Sequence, residues 1–333
     1  MAGSLTVAES RDNNFDGIRL VAALAVIIGH AWPLTGTAHP PRIAGIAIYD
    51  LAVLVFFSVS GYLITRSWQR SPVVRRFLAA RVLRIFPALL VVVVLTTLLG
   101  GPLVTTLQPG AYFSSPTTWG YLLNTTLVAV YDLPGVFTEN PLPPVNGALW
   151  SLGPEFLCYL GVLGIGLLAV RARLAGFIVV TFALMVTSLV SEDPIQTTAG
   201  AMAFFGVSAV IATVARDRTL PLWPALVAVV GWLIVSVIVP EAGRPLAWVV
   251  VPYVVVAVGM RATPVIRSAG RFGDSSYGLY LWGFLVQQVT IATLGVLPLA
   301  LDLLVVVPVT GILAFASWHL VEKRALALKS RFR

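Results

Sequence analysis

The chain has 333 residues, of which 58% are hydrophobic and only 11% are charged. Soluble domains carry roughly 25% charged residues, so this composition excludes an ordinary soluble protein. The formal net charge of +8 does not indicate nucleic-acid binding, because the basic residues fall in short connections between apolar runs, where they set membrane orientation. The single cysteine, Cys158, excludes an intrachain disulfide and a cysteine-based metal cluster, and we expect no bound metal.

Ten apolar windows are long enough, at roughly 17–25 residues, to cross the hydrocarbon core of a bilayer as helices. The sequence therefore predicts an all-α polytopic membrane protein of about ten transmembrane helices, forming a single integral-membrane domain over residues 1–333. The windows lie near residues 17–35, 45–66, 83–106, 147–170, 174–190, 197–215, 220–240, 245–260, 276–296 and 299–320.

Basic residues cluster after the second span and in every second connection that follows it. This pattern predicts a multi-pass protein of the plasma membrane with both termini in the cytoplasm. Residues 108–146 then form a long extracytoplasmic loop. Within it, residues 118–131 are weakly apolar, but a crossing there would turn all later basic connections outward. We expect a short re-entrant or interfacial helix instead.

The first span carries two ionisable residues, Arg19 and His30, on one helical face. Eleven positions separate them by about 20° around the helix and about 16 Å along its axis. The alternatives to function are an interfacial arginine that extends to the surface and a histidine satisfied by a helix carbonyl. We favour function for His30, because a titratable group deep in a membrane span is costly.

The fourth span carries Glu155 and runs in the opposite direction, so Glu155 can reach the depth of His30. A carboxylate that orients an imidazole suits general acid–base chemistry. The sequence thus predicts that His30 and Glu155 lie close together.

Two further features lie in the second span and directly after it. Ser58, Ser60 and Gly61 interrupt a run of large residues, which favours close helix packing but also fits a narrow channel wall. The arginine-rich connection after it includes Arg76, and Arg81 and Arg84 follow one helical turn apart. These arginines fit either membrane orientation and anionic lipids or the phosphates of a soluble cofactor.

Taken together, these blocks resemble the membrane-bound acyltransferase family 3, a group of integral-membrane O-acyltransferases. The similarity covers essentially the whole chain, in the family's order. The matching pieces are Arg19 and His30 with ten residues between them, FFSVSGYL, the Arg81–Arg84 pair in ARVLRIFP, NGALWSLGPEF, SSYGLYLWGF and HLVEKR.

The resemblance implies transfer of an acyl group, usually acetyl, from cytoplasmic acyl-CoA to a hydroxyl of a sugar, glycolipid or cell-envelope polysaccharide at the outer face. It implies catalytic roles for His30, Glu155 and Arg19, with Arg19 positioning the donor. The remaining candidates are Ser60, Arg76, Arg81 and Arg84 for the acyl-CoA, and Asn146, Trp150 and Tyr277 for the acceptor.

The chain also departs from the family pattern. Many relatives carry an acidic residue where this chain has Leu54, and a histidine where it has Gly283. Some relatives carry a fused extracytoplasmic hydrolase-like domain that completes the transfer. We expect this chain to act without such a fused domain, either as a standalone enzyme or with a separate extracytoplasmic partner protein. The alternative function is a transporter or flippase of a lipid-linked sugar or small solute, with His30 and Glu155 as a proton relay.

Overall fold

The computed structural model describes residues 13–37, 39–216, 218–267 and 273–332. The termini, 1–12 and 333, to which the orientation prediction refers, lie outside the described residues. The α-helices are α1 Phe15–Leu34, α2 Ile48–Arg70, α3 Val74–Leu95, α4 Gly101–Val104, α5 Pro109–Ser114, α6 Pro116–Gly120, α7 Leu152–Leu167, α8 Val170–Val190, α9 Ile195–Ala215, α10 Trp223–Ile238, α11 Gly243–Gly259, α12 Pro264–Arg267, α13 Ser276–Leu294, α14 Leu299–Ser317 and α15 Lys323–Ala327.

The structure confirms an all-α polytopic membrane fold, since each of the ten predicted windows coincides with a helix. Eight helical stretches in the described residues are long and apolar enough to cross a bilayer. The other two predicted spans fall outside that set: α10 has only 16 residues, and α13 carries Gln287 and Gln288 in its middle.

Short irregular helices extend several of these elements. The π-helical turn Thr96–Gly100 joins α3 to α4, and Trp318–Glu322 joins α14 to α15. Four 3₁₀ segments complete the helical structure of the described residues: Tyr121–Thr126, Gly147–Ser151, Pro240–Ala242 and Leu328–Phe332.

A small β-hairpin connects α1 to α2. Strands β1, Arg42–Ile43, and β2, Ile46–Ala47, pair antiparallel, with Arg42 opposite Ala47. The two turn residues, Ala44 and Gly45, both have positive φ, which suits the twist of a two-residue hairpin. The hairpin therefore holds Arg42 beside the start of α2.

The predicted helix at residues 118–131 is shorter in the structure. Helix α6 and the following 3₁₀ segment end at Thr126, because Leu127 adopts a left-handed conformation with φ of 68°. Residues 128–131 are not helical. This segment is too short to cross a bilayer, as the orientation argument requires.

Helix α2 is central to the bundle and packs against α1, α7, α9 and α11. Its contact with α9 is close, since a Cβ added at Gly61 would lie 2.2 Å from the carbonyl oxygen of Phe205. The packing interpretation of the small residues in α2 therefore holds for Gly61. A similar approach explains Gly283, where a Cβ would lie 2.5 Å from Ile27 of α1. A histidine side chain has no room at that position.

Candidate active site

A narrow cavity of about 60 Å³ lies among α1, α2, α3, α7 and α13. We call it the arginine cavity. Six of the ten predicted site residues line this cavity. They come from several helices, so only the tertiary fold brings them together. They are Arg19, Ser60, Arg81, Arg84, Glu155 and Tyr277.

Asp274, just before α13, holds two of these arginines. Its Oδ2 accepts hydrogen bonds from Arg84 Nη2 at 2.7 Å and from Arg19 Nη1 at 3.2 Å. Burial raises the pKa of the Asp274 carboxyl, but the two guanidinium groups and hydrogen bonds from Ser276 outweigh it and lower the pKa to about 2. The carboxylate is therefore charged at neutral pH.

Glu322 is the second carboxylate behind the arginines. Its side chain is only 2% exposed, and its Oε2 accepts from Arg84 Nη1 at 3.3 Å. Ser317 Oγ donates to its Oε1 at 3.0 Å. The Arg84 guanidinium thus spans two carboxylates, and its Cζ lies 5.4 Å from the centre of the Tyr277 ring. These contacts fix the orientation of Arg84.

Sequence reasoning assigned no role to Asp274 or Glu322, although both adjoin matched blocks. Asp274 precedes SSYGLYLWGF by one residue, and Glu322 is the acidic residue of HLVEKR. The only feature of the sequence that could have indicated them is that each is an isolated acidic residue at the end of a membrane span. Pairing it with a particular arginine required contacts across 190 and 238 residues of sequence.

Glu155 has different partners from the predicted one. Ser60 Oγ and Tyr159 OH both donate to its Oε1, at 2.5 and 2.6 Å. Arg81 lies beside this pair, with its Cζ 5.9 Å from the centre of the Tyr159 ring. The structure therefore gives Ser60 a specific contact, because it links α2 to the Glu155 carboxyl on α7.

His30 is half-buried and lies outside the lining of the arginine cavity. Its Nδ1 lies 2.8 Å from the carbonyl oxygen of Val26 in the same helix. A carbonyl only accepts, so Nδ1 carries the proton and Nε2 of the neutral ring has a free lone pair. The ring packs against Tyr49 at 4.6 Å and Phe284 at 5.3 Å between centroids.

The predicted pairing of His30 with Glu155 is thus absent from the described hydrogen bonds. The Val26 carbonyl, rather than a carboxylate, selects the tautomer. The two side chains contact α2 at residues about 16 Å apart along the helix, Tyr49 for His30 and Ser60 for Glu155. A catalytic role for either stays a prediction.

The structure does not bring the other four predicted site residues into the arginine cavity. Besides His30, they are Arg76, Asn146 and Trp150. Arg76 donates to Ser71 Oγ at 3.2 Å near the start of α3. Asn146 is fully buried, donating to the Leu281 carbonyl at 2.9 Å and accepting from the Ala148 amide at 3.2 Å. It joins the segment before α7 to α13, which is a positioning contact.

A second cavity, of about 290 Å³, lies towards the opposite end of α2. We call it the vestibule. Trp150 lines it, as do residues of the β-hairpin and the first turns of α2, α9 and α11. Its polar lining residues are Arg42, Asp50, Asp193, Thr197 and Arg244. Val53 lines both cavities, so they adjoin each other along α2.

Leu54, where relatives carry an acidic residue, also lines the vestibule. Asp50 lies four residues earlier on the same helix, so it faces the same side one turn away. The chain therefore retains a carboxylate in this cavity at a different position. No group of three His, Cys, Asp or Glu residues that could hold a metal ion occurs in the part of the chain that the structure describes.

The fold and the arginine cavity define a polytopic membrane protein with a charged site inside its helix bundle. Residues 12–321 match the family described as "Acyltransferase domain" (Acyl_transf_3), so the chain belongs to the membrane-bound acyltransferase family 3. The resemblance drawn from the sequence blocks is thereby confirmed.

Two relatives align over almost their whole length. The chain is 32% identical, over 348 residues, to a protein of Shigella phage Sf6 named O-acetyl transferase; the alignment covers 96% of this chain and 98% of the relative. It is 30% identical, over 361 residues, to Nodulation protein 10 of Rhizobium leguminosarum bv. viciae, covering 96% and 94%. No solved structure matches. The chain is therefore an O-acyltransferase of the membrane.

Proposed function

We propose that the protein transfers an acetyl group from cytoplasmic acetyl-CoA to a hydroxyl of a sugar, glycolipid or cell-envelope polysaccharide on the other side of the membrane. One observation carries this proposal. Three guanidinium groups, from Arg19, Arg81 and Arg84, meet in one narrow cavity inside the bundle. The name of the phage relative, O-acetyl transferase, supports acetyl as the transferred group.

The arginine cavity suits the donor in shape and charge. A volume of about 60 Å³ is too small for a nucleotide, so only the reactive end of a slender chain such as the pantetheine arm would enter it. Guanidinium groups bind phosphates through paired N–H donors. Arg76 lies five residues before Arg81 in α3, about 7.5 Å nearer the N-terminal end of the helix, where the bulky nucleotide part of acetyl-CoA would stay.

Asp274 holds Arg19 and Arg84 in place for this donor, and Glu322 also holds Arg84. Without them, three like charges would repel one another in a partly buried site. The Glu155 carboxyl lines the same cavity and accepts from Ser60 and Tyr159. The site is therefore preorganised before the donor arrives.

His30 is suited to act as the base. Its Nε2 would take the proton of the acceptor hydroxyl while the hydroxyl oxygen bonds to the thioester carbonyl carbon. The carbon–sulfur bond then breaks, and the proton passes to the departing thiolate to give free CoA. The alternative route is covalent: Nε2 attacks the thioester carbon, and the carbon–sulfur bond breaks to release the CoA thiolate. The acceptor oxygen then attacks the acetyl carbon, the bond to Nε2 breaks to restore the imidazole, and the acceptor proton passes to the thiolate.

The transporter alternative finds less support. Membership in an acyltransferase family favours the enzyme. A proton relay between His30 and Glu155 would also be expected to join the two groups, whereas each has other hydrogen-bond partners.

The proposal is tested with membranes that contain the full chain and radiolabelled acetyl-CoA. We expect label to appear on a saccharide-containing envelope component, and His30→Ala to abolish this labelling. Label that hydroxylamine releases from the protein itself would indicate the acyl-histidine route. Solute uptake without any acyl donor, and no transfer of label, would contradict the proposal.

A further inference from the structure

The vestibule contains charged groups of both signs that the donor site does not use. Arg42 and Arg244 face Asp50 and Asp193 across it, so its formal charges cancel. The charges of Arg244, Arg42 and Asp193 all act on the Asp50 carboxylate. A balanced set of this kind favours a neutral ligand with many hydroxyls over an anion or a cation, because both donors and acceptors are present.

Several of these groups have hydrogen-bonding capacity to spare. In the described parts of the chain, no hydrogen bond joins Asp50 or Arg244 to another residue. Asp193 uses its Oδ1 for Thr197, and Arg42 uses its Nη1 for the Gly45 carbonyl. The second carboxylate oxygen of Asp193 and the remaining N–H groups of Arg42 stay available to a ligand.

Trp150 adds an aromatic surface to this polar lining. A pyranose ring has one face of C–H groups that packs against an aromatic ring, while its hydroxyls point sideways to polar partners. The volume of about 290 Å³ is at the lower limit of typical small-molecule sites, which are roughly 300–1,000 Å³. It suits one or two sugar rings.

The vestibule also adjoins the reacting groups. Asp50 follows Tyr49, whose ring packs on His30 at 4.6 Å. Val53 lines both cavities, and Asp50 and Ser60 are ten residues apart on α2, about 15 Å along the helix. A ligand beside Asp50 is therefore next to the α2 residue that contacts His30, and about three turns of α2 from Ser60.

We propose that the vestibule binds a pyranose unit of a neutral saccharide, stacked on Trp150 and hydrogen-bonded by Asp50, Asp193, Arg42 and Arg244. This inference rests on the proposed function, since it takes this saccharide as the acetyl acceptor. It adds the place where the acceptor binds and the neutral charge of the sugar.

The chain has a single native cysteine, which is buried, and the test begins by replacing it. In a Cys158→Ala background, Ala44→Cys places a thiol in the vestibule and keeps all its polar groups. Intact cells that express this full-length variant are treated with a membrane-impermeant maleimide, with and without neutral methyl hexopyranosides. At a sugar concentration of about twice Kd, mass action should slow labelling about threefold.

Ala242→Cys is the matched control, because Ala242 is also half-buried and lies near the vestibule without lining it. Its labelling should not respond to sugar. Mannitol tests the need for a ring, and glucuronate tests the need for neutrality. The inference is wrong if no hexopyranoside protects Ala44→Cys, if mannitol or glucuronate protects it equally, or if the thiol reacts only from the cytoplasmic side.

The same purified variant separates this inference from the proposed function. Radiolabelled CoA binding reports on the arginine cavity, whereas sugar protection reports on the vestibule. Binding of CoA without sugar protection would overturn the vestibule inference alone. Sugar protection without CoA binding would overturn the proposed donor instead.

Discussion

The arginine cavity and the vestibule hold their charges in opposite ways. In the arginine cavity, Arg19 and Arg84 are tied to Asp274, and Arg84 is also tied to Glu322. In the vestibule, Asp50 is exposed and has no hydrogen bond to another described residue. The first arrangement is rigid and suits one invariant donor. The second leaves its groups to the ligand, as a site for a hydroxyl-rich acceptor requires.

The largest effect should come from His30, which lines neither cavity but packs against Tyr49, the residue before Asp50 of the vestibule. His30→Ala should lower acyl transfer by roughly 10²–10⁴-fold, because it removes the proposed general base. CoA binding should stay unchanged, since the arginines are intact. The measurement is transfer from labelled acetyl-CoA alongside CoA affinity, with His319→Ala on the exposed end of the chain as the control. Normal transfer by His30→Ala would contradict the mechanism.

Arg84→Gln should remove the ion pairs that Arg84 forms in the arginine cavity. Loss of this guanidinium leaves Asp274 with one cationic partner and Glu322 with none among the described ion pairs. We expect CoA affinity to fall about 10–100-fold, consistent with roughly 1.5–3 kcal/mol for a charged hydrogen bond. Isothermal titration calorimetry with CoA measures this affinity.

Arg171→Gln removes an equal charge from an exposed position at the start of α8 and should leave CoA affinity unchanged. Arg84→Lys should rescue only part of the affinity, because an ammonium cannot span two carboxylates as a guanidinium fork does. Equal affinity in Arg84→Gln and Arg171→Gln would show that the cavity does not bind the donor.

Asp274 predicts a pH dependence specific to the arginine cavity. Its pKa falls from 3.8 to about 2 in the folded protein, so its carboxylate stabilises the fold above the unfolded pKa and loses this effect as pH falls through about 2. The shift corresponds to about 2 kcal/mol. Thermal unfolding in detergent should show that Asp274→Asn loses less stability than wild type between about pH 4 and 2. Parallel losses in both proteins would refute this.

Changes in the vestibule should affect the acceptor only. Asp50→Asn and Arg244→Gln should each raise the acceptor KM by about threefold to tenfold, the loss of one hydrogen bond, and leave CoA affinity unchanged. Glu192→Gln and Glu241→Gln are matched controls, because both residues are exposed and lie beside the vestibule without lining it. An altered CoA affinity in Asp50→Asn would mean that the two cavities are not separate.

The smallest effect should come from Ser60→Ala. Glu155 keeps the hydrogen bond from Tyr159, so the carboxylate remains partly satisfied. We expect a stability loss of about 1 kcal/mol and a change in transfer of only a few fold. Tyr159→Phe combined with Ser60→Ala should cost more than the two single changes together, measured as a double-mutant cycle.

Much of the fold was predictable from the sequence because membrane helices depend on local composition. Apolar length alone located ten helices, and the turn-forming residues of 108–146 marked the long connection between α4 and α7. The extent of the helix at 118–131 was not predictable in this way. It depends on the left-handed conformation of Leu127, which composition does not specify.

The candidate site was only partly predictable. Arg19, Arg81, Arg84, Ser60, Glu155 and Tyr277 could be selected singly, since a polar residue in a membrane span is costly and therefore noticeable. Their partners depend on helix packing: Ser60 meets Glu155 because α2 packs against α7, and Arg84 meets Asp274 and Glu322, which are far from it in the sequence. By itself the sequence determined the membrane fold, the family blocks and the ionisable residues that are costly to place in a membrane. Only the tertiary structure decided which charges pair and that two cavities adjoin along α2. Both of these depend on contacts between helices that are far apart in the chain.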